Sequence, residues 1–221
     1  MNQFTYFYEL RKWVNNWMLF DDNYKTITSK SEGFYKEKGS KFLSFASHVT
    51  SEAEVKEILE KLRKEFHDAR HVCFAYILGF DKSGYRMNDD GEPSGTGGRP
   101  IYGQLLSYDL TNTLIAVVRY FGGTKLGVSG LINAYKTAAQ DALNNAEIVT
   151  LKIYDVYEII YPYSMMNDVM KILKDENLEQ ISSSFELECK IIFQVPKNAT
   201  NKIYEKFLRI EGLKINYLKT I

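Results

Sequence analysis

The spacing of apolar residues in the first third of the chain predicts a β-hairpin followed by a helix. Residues 24–31 and 41–49 are rich in β-branched and aromatic residues and flank a Lys- and Gly-containing turn at 36–40. Ser51 followed by Glu54 fits a capping box, and the apolar positions of 55–66 recur at helical spacing.

The next stretches predict a sheet covered by helices. Residues 71–80 and 114–118 are apolar runs, which are typical of buried strands, and 85–87 predicts a short strand. One helix is predicted from Pro100 to about Tyr108. A longer one ends near Asn145, and its inward stripe contains small residues that allow close packing: Leu131, Tyr135, Ala138 and Ala142.

The last third has the element order β-α-β-β-α-β, which is the ferredoxin-like signature. The predicted strands are 154–161, 179–185, 187–195 and 213–221, and the predicted helices are 164–176 and 197–210. We therefore predict an α+β protein with one domain at 24–146 and a ferredoxin-like domain at 147–221.

Residues 1–23 form an N-terminal extension in which aromatic residues crowd the first 20 positions. Two hypotheses remain open for this segment. It is an additional amphipathic helix packed on the protein, or translation starts at Met18 and the segment is upstream sequence.

The composition indicates a globular protein without a general excess of basic residues. Hydrophobic residues are 45% and charged residues 25% of the 221 positions, which is the globular balance. The formal net charge is zero, so nucleic-acid binding would have to come from a local patch. The two cysteines and the lack of an apolar run of about 18 residues favour a reducing, cytoplasmic location with no membrane partner.

The first Gly-rich segment, 88–100, has no periodicity, and irregular stretches of this length are usually functional. A helix that starts near Pro100 would offer backbone N–H groups to an anion. Asp89, Asp90 and Glu92 are candidate ligands for a hydrated Mg²⁺. The alternative is a tight crossover in which Gly and Asp satisfy turn geometry. Neither the dinucleotide-binding pattern nor the P-loop pattern is present.

The second Gly-rich segment, 119–130, follows the predicted central strand. Arg119 and Lys125 are candidate phosphate contacts, and Tyr120 or Phe121 is a candidate for stacking on a base. The alternative is that Arg119 pairs with an acidic residue of the first segment and ties the loops together.

Other residues give weaker signals. His67 and His71 are four positions apart, but a hydrogen-bonded His at a loop edge is favoured over a metal site. Lys202, Lys206 and Arg209 share a helical face that is more typical of a solvated flank than of an RNA contact. Cys73 lies in an apolar run and is interpreted as a core residue.

Four motifs resemble the IMPACT family and its YigZ-like bacterial members. They are Asp-Ala-Arg-His at 68–71, Asp-Asp-Gly-Glu-Pro-Ser-Gly-Thr at 89–96, Gly-Arg-Pro at 98–100, and Val-Arg-Tyr-Phe-Gly-Gly-Thr-Lys-Leu-Gly at 118–127. The resemblance covers about 24–221. It implies a first domain with the fold of the second domain of ribosomal protein S five. The second domain would resemble the fifth domain of elongation factor G.

The resemblance also implies a connection with translation, because eukaryotic relatives are translational regulators that bind the activator of an initiation-factor kinase. Three positions depart from the family pattern. Gly97 replaces a usual Ala, which we expect to loosen the loop. Ser129 replaces a usual Gly and is expected to cap a helix, and Asn133 replaces a usual cation.

The favoured function is a cytoplasmic, translation-associated protein that binds RNA, the ribosome or a translation factor through the two Gly-rich segments. The alternatives are a Mg²⁺-dependent hydrolase of a phosphorylated small molecule and a protein-interaction module. No cofactor is expected and no catalytic residue is assigned. The candidate ligand-binding residues are Arg70, His71, Ser94, Gly95, Thr96, Arg119, Tyr120, Gly122, Gly123 and Lys125.

Overall fold

The computed structural model describes residues 22–186 and 188–221, so both hypotheses for residues 1–20 lie outside the described residues. The chain divides into two compact units, one formed by Tyr24–Leu151 and one containing Lys152–Ile221. The division falls a few residues after the predicted boundary. The reason is that residues 148–152 form a strand that the sequence pattern did not predict, and this strand pairs with residues 23–27.

The first unit is built on a five-stranded antiparallel sheet with strand order β2-β3-β6-β4-β5. Its five strands are β2 (Ser31–Glu37), β3 (Ser40–His48), β4 (His71–Leu78), β5 (Gly84–Asn88) and β6 (Thr113–Tyr120). The strands β1 (Asn23–Ile27) and β7 (Ile148–Lys152) form a separate pair. The predicted hairpin between residues 24–31 and 41–49 is therefore wrong, because β3 pairs with β2 and not with β1. The helices are α1 (Glu52–Glu65), α2 (Gly98–Ser107) and α3 (Gly127–Asn144).

Helices cover both faces of this sheet. The side chains of α2 and α3 share one apolar cluster with the sheet, and those of α1 share the other. Strand β6 lies in the middle, and seven of its eight residues are buried. The prediction of a central strand buried on both faces is therefore confirmed.

The predicted capping box at the start of α1 is confirmed, with one difference in register. The Ser51 side chain accepts a hydrogen bond from the Glu54 amide. The Glu54 carboxylate reaches back to the Thr50 amide at 2.8 Å, one residue before the cap. Two donors at the start of the helix are thereby satisfied.

Small residues allow α3 to approach the sheet closely. Ala138 and Ala142 are fully buried, and their carbonyls accept hydrogen bonds from Ser44 Oγ at 2.6 Å and from Ser31 Oγ at 2.8 Å. The predicted stripe that includes Leu131 and Tyr135 is buried as expected. Two side chains of β2 and β3 thus bind the second half of the helix directly.

The second unit is a four-stranded antiparallel sheet with strand order β11-β8-β10-β9. Its strands are β8 (Tyr154–Tyr161), β9 (Glu179–Phe185), β10 (Cys189–Pro196) and β11 (Lys214–Thr220). The helices α4 (Met166–Asp175) and α5 (Thr200–Leu208) share one apolar cluster with the sheet. The α+β class is confirmed, and the element order is compatible with a ferredoxin-like arrangement.

None of the helices in the described part of the chain is long and apolar enough to span a bilayer.

The turn between β2 and β3 contacts the second Gly-rich segment backbone to backbone. A Cβ atom placed on Gly122 would lie 1.9 Å from the carbonyl carbon of Gly39 and 2.1 Å from the amide nitrogen of Ser40. Position 122 therefore requires glycine, because the backbone of Gly39 and Ser40 leaves no space for a side chain. Its neighbour Gly123 has open space around it but a φ of 88°.

These two neighbouring glycines predict different costs for the same substitution. Gly123→Ala should destabilise the first unit by about 1–2 kcal/mol, the cost of a left-handed conformation for an L-residue. Gly122→Ala should cost more than that, about 3 kcal/mol, because backbone must move. Urea unfolding of both variants measures the difference, and equal losses would show that the close approach to Gly39 is not required.

Candidate functional site

The candidate site includes a row of three paired residues on neighbouring strands of the sheet. Arg119 on β6 pairs with Phe42 on β3 and with His71 on β4. Directly paired residues point to the same face of a sheet. Arg119 and Phe42 therefore lie on the face that α2 and α3 cover, at the end of β6 where the second Gly-rich segment begins.

Asp89 organises the first Gly-rich segment. Its carboxylate accepts hydrogen bonds from the amides of Gly95, Gly97 and Gly98, each at 2.8 Å. Burial alone would raise the pKa of Asp89, but these three donors outweigh it and hold the pKa below its ordinary value. The start of α2, predicted as an anion site for a ligand, is thus occupied by a carboxylate of the chain itself.

Asp90 ties this segment to α1 and β4. One carboxylate oxygen accepts from Arg63 Nη2 at 2.7 Å and the other from the Val72 amide at 2.7 Å. Burial opposes ionisation, but these bonds lower the pKa of Asp90 overall. The Asp90 carbonyl, which can only accept, receives a hydrogen bond from Nδ1 of His71 at 2.7 Å and orients that ring.

Glu92 joins the first segment to β6 and α3 through one buried carboxylate. Its Oε1 atom lies 2.5 Å from Arg119 Nη1 and accepts from the Tyr135 hydroxyl at 2.9 Å. The side chains of Arg119 and Glu92 are 8% and 4% exposed. The alternative that Arg119 pairs with an acidic residue of the first segment is confirmed, with Glu92 as its partner.

The magnesium hypothesis gains no support from this geometry. Asp89, Asp90 and Glu92 are each engaged by donors of the chain, and they point to different elements. Within residues 22–186 and 188–221, no group of three or more His, Cys, Asp or Glu side chains is placed to hold a metal ion.

A cleft of about 470 Å³ opens beside Arg119. It brings together six of the candidate residues of the sequence: Arg70, His71, Glu92, Arg119, Phe121 and Lys125. Arg70 and Lys125 are exposed and make no ion pair with any residue in the described ranges. Once Arg119 and Glu92 have compensated each other, the cleft therefore retains two cations.

The first turn of α3 also lines this cleft. The residue that precedes the helix is Leu126, which provides no side-chain hydrogen bond, and the first turn contains no acidic residue. The expectation that Ser129 caps this helix is wrong, because the helix already begins at Gly127. The N–H groups of Gly127, Val128 and Ser129 are thus left for water or a ligand.

Comparisons with known proteins agree with these motifs. The family described as the Impact N-terminal domain matches residues 38–143. "IMPACT family member YvyE" of Bacillus subtilis is 33% identical over 168 residues, which cover 75% of this chain and 77% of that protein. "IMPACT family member YigZ" of Escherichia coli is 30% identical over 151 residues, covering 67% and 74%.

The chain belongs to the IMPACT family. A solved structure of a hypothetical protein has the same fold, with a TM-score of 0.66 and 24% identity, and the alignment covers 90% of this chain and 98% of that one.

Several candidate residues of this IMPACT chain lie outside the cleft. Tyr120 points away from Arg119, because successive strand residues alternate faces, and its hydroxyl donates to Asp68 Oδ1 at 2.7 Å. Thr96 is buried, and its hydroxyl bonds to the Pro93 carbonyl at 2.6 Å. The cleft lining also does not include Ser94, Gly95, Gly122 and Gly123.

The expectation that Gly97 loosens the loop stays a prediction, but the structure gives a packing reason for glycine at this position. A Cβ atom on Gly97 would lie 2.6 Å from Cys73 Sγ, so the missing methyl group makes room for that sulfur. Cys73 is fully buried, and burial raises the pKa of its thiol to about 12. Both observations agree with the interpretation of Cys73 as a core residue of the IMPACT chain.

The sequence motifs did not predict the apolar wall of the cleft. Phe121, 52% exposed, and Val128, 60% exposed, line it together with Pro93, Leu126 and Leu131. Of these, only Phe121 was a candidate in the sequence, as an alternative to Tyr120. An exposed aromatic residue directly after a buried strand was the signal that could have identified the wall.

The lowered pKa of Asp89 predicts acid-sensitive stability. A carboxylate with a depressed folded-state pKa contributes stability above its ordinary pKa of 3.8, and this contribution is lost as the pH falls below that value. Asp89→Asn should lower the free energy of unfolding by about 0.5–2 kcal/mol at neutral pH. It should also make the free energy of unfolding fall less steeply as the pH is lowered. Urea unfolding from pH 7 to pH 3 tests this, with Glu60→Gln on the exposed surface of α1 as the matched control. An Asp89→Asn profile parallel to that of the wild type would contradict the role of the charge.

The buried pair predicts strong coupling between Glu92 and Arg119. Glu92→Leu should destabilise the first unit by about 3–5 kcal/mol, because it leaves a buried guanidinium without its counter-charge. The double variant Glu92→Leu/Arg119→Leu should be more stable than Glu92→Leu alone. Chemical unfolding of the two single variants and the double variant measures this coupling, and strictly additive losses would refute it.

Proposed function

We propose that this chain is a translation-associated regulatory protein that binds RNA through the cleft beside Arg119. The observation that carries the proposal is the pair of exposed cations, Arg70 and Lys125, which line the cleft together with the uncapped start of α3. Backbone N–H groups at a helix start and nearby cations both favour phosphate.

The balance of charge supports a local RNA contact. The whole chain has a formal net charge of zero, so a general attraction to polyanions is absent. In the cleft, Glu92 compensates Arg119, whereas Arg70 and Lys125 have no acidic partner among the described residues. The contact to phosphate is therefore assigned mainly to Arg70 and Lys125, and Arg119 holds the surface in place.

The cationic face of α5 is the less favoured surface. Lys202 and Lys206 both pair with the Glu176 carboxylate, with Lys202 Nζ at 2.9 Å. The single carboxylate offsets one of the two positive charges, and both lysines are held in ion pairs within the second unit. This agrees with the interpretation of the face as a solvated flank. These two lysines therefore provide a matched control for the cations of the cleft.

The translation part of the proposal rests on family membership. The resemblance implies that eukaryotic relatives regulate translation through a protein that activates an initiation-factor kinase. The motifs that resemble the family include the segments that build the cleft. A cytoplasmic location is the corresponding proposal for where it acts.

A salt titration of RNA binding tests the proposal. Binding of a single-stranded RNA should weaken as salt rises, and Arg70→Ala/Lys125→Ala should reduce the slope of log affinity against log salt by about 1.4, or 0.7 per cation. Lys202→Ala/Lys206→Ala removes the same formal charge and should leave the slope unchanged.

Two results would contradict RNA binding by the cleft. One is no measurable binding at low salt, and the other is an equal change of slope in both double variants. A protein partner that co-purifies with the chain after nuclease treatment, in the absence of RNA binding, would favour the protein-interaction alternative instead.

A further inference from the structure

We propose that the cleft holds a single nucleoside monophosphate, with the phosphate at the start of α3 and the base on Phe121. This inference rests on the proposed function and names the unit of RNA that the cleft recognises. The same chemistry is available from a free nucleotide and from the 5′-terminal nucleotide of an RNA chain.

The size and the lining of the cleft fit one nucleotide. Its volume of about 470 Å³ lies in the range of small-molecule sites, which is about 300–1,000 Å³. Its lining combines cations with an apolar wall that includes Phe121 and Val128. A ligand that joins an anionic group to an aromatic ring matches both parts, whereas an inorganic anion would match only the first.

The phosphate end is defined by α3. This helix has 18 residues, and it begins without a side-chain cap and without an acidic residue in its first turn. Its N-terminal N–H groups and its dipole favour a negative charge at that position. Lys125, two residues before the first helical residue, adds a full positive charge to the same end of the cleft.

A second, independent observation comes from Arg119. Its side chain is 92% buried and lines the cleft, yet its Nε atom has no hydrogen-bond acceptor among the described residues. A buried donor without an acceptor costs about 1–3 kcal/mol, and a charged donor costs more. A phosphate oxygen in the cleft would accept this N–H.

Glu92 does not compete for the same donor. Its Oε1 atom is already bonded to Arg119 Nη1 and to the Tyr135 hydroxyl. The carboxylate therefore holds the guanidinium at Nη1 and makes no hydrogen bond to Nε. The Nε donor of Arg119 remains for a ligand.

The base end is defined by Phe121. The guanidinium carbon of Arg119 lies 5.7 Å from the centre of the Phe121 ring. Phe121 is nevertheless 52% exposed. A base can therefore stack on the exposed part of a ring that the cation helps to hold in place. Stacking of this kind tolerates different bases, so the cleft is expected to recognise the nucleotide class rather than one sequence.

The start of α2 supports the assignment by contrast. There the chain itself places the Asp89 carboxylate on the Gly97 and Gly98 amides, so no external anion is required. At the start of α3, the described residues place no carboxylate on the helix amides. The two Gly-rich segments thus lead into one internally neutralised helix start and one that is open to the cleft.

Calorimetric titration of the full chain tests the inference with four probes: adenosine 5′-monophosphate, ribose 5-phosphate, adenosine and inorganic phosphate. The nucleotide should bind at least tenfold more tightly than each of the other three, because only it uses both ends of the cleft. Phe121→Ala should weaken nucleotide binding about tenfold and leave ribose 5-phosphate binding unchanged. Phe34→Ala, which removes an aromatic side chain of the same 52% exposure from β2, should change neither.

Lys125→Ala should weaken the binding of the nucleotide and of ribose 5-phosphate to the same degree, about tenfold. The reason is that Lys125 contacts the phosphate end of the ligand only. Nucleotide binding that is no tighter than phosphate binding, or that is insensitive to Phe121→Ala, would overturn the proposal. Salt-dependent RNA binding without nucleotide binding would overturn this inference and leave the proposed function intact.

The source of the nucleotide is distinguished by competition. An RNA oligomer with a 5′-phosphate that competes with adenosine 5′-monophosphate better than its 5′-hydroxyl counterpart identifies the RNA end as the ligand. Binding of the mononucleotide with no competition by either oligomer identifies a free nucleotide, which retains the cleft assignment and refutes RNA binding by this surface.

Discussion

The buried carboxylate of Glu92 is the interaction on which the functional region depends. It belongs to the first Gly-rich segment, it balances the charge of Arg119 on the central strand, and it accepts the Tyr135 hydroxyl of α3. Loop, sheet and helix therefore meet at one oxygen atom. Because a buried charge pair is costly to break, these elements are held in one arrangement, and the shape of the cleft follows from it.

The two Gly-rich segments use their charges in opposite ways. The carboxylates of the first segment form hydrogen bonds within the protein: Asp89 caps α2, and Asp90 binds Arg63 and a backbone amide. The cations near the second segment have no such partners, with the exception of Arg119. The protein therefore has a small cationic surface although its formal net charge is zero. It carries no excess positive charge that would attract polyanions to the rest of its surface.

Much of the fold was predictable because it depends on periodic burial, as the α3 stripe of Leu131 and Tyr135 and the Ser51 cap show. The site was only partly predictable. That Asp89 caps α2 could not be read from residue types, since its partners are backbone amides. The choice between Tyr120 and Phe121 depends on which face of β6 each residue occupies, and the uncapped start of α3 depends on where the helix begins. Strand β7 was missed because it forms a two-stranded pair with β1 and has little buried surface.

The contact between Gly97 and Cys73 has a consequence for how the sequence can diverge. The two residues share one small volume between α2 and β4, so a side chain gained at one position requires that space be released at the other. The pair behaves as a single packing unit, and its members are expected to vary together among relatives. Ala at position 97 then implies a residue smaller than Cys at position 73, or a slightly wider separation of α2 from the sheet. Because the Gly97 amide donates to the Asp89 carboxylate and the Cys73 thiol donates to the Asp89 carbonyl, such an exchange also changes the surroundings of the cap on α2.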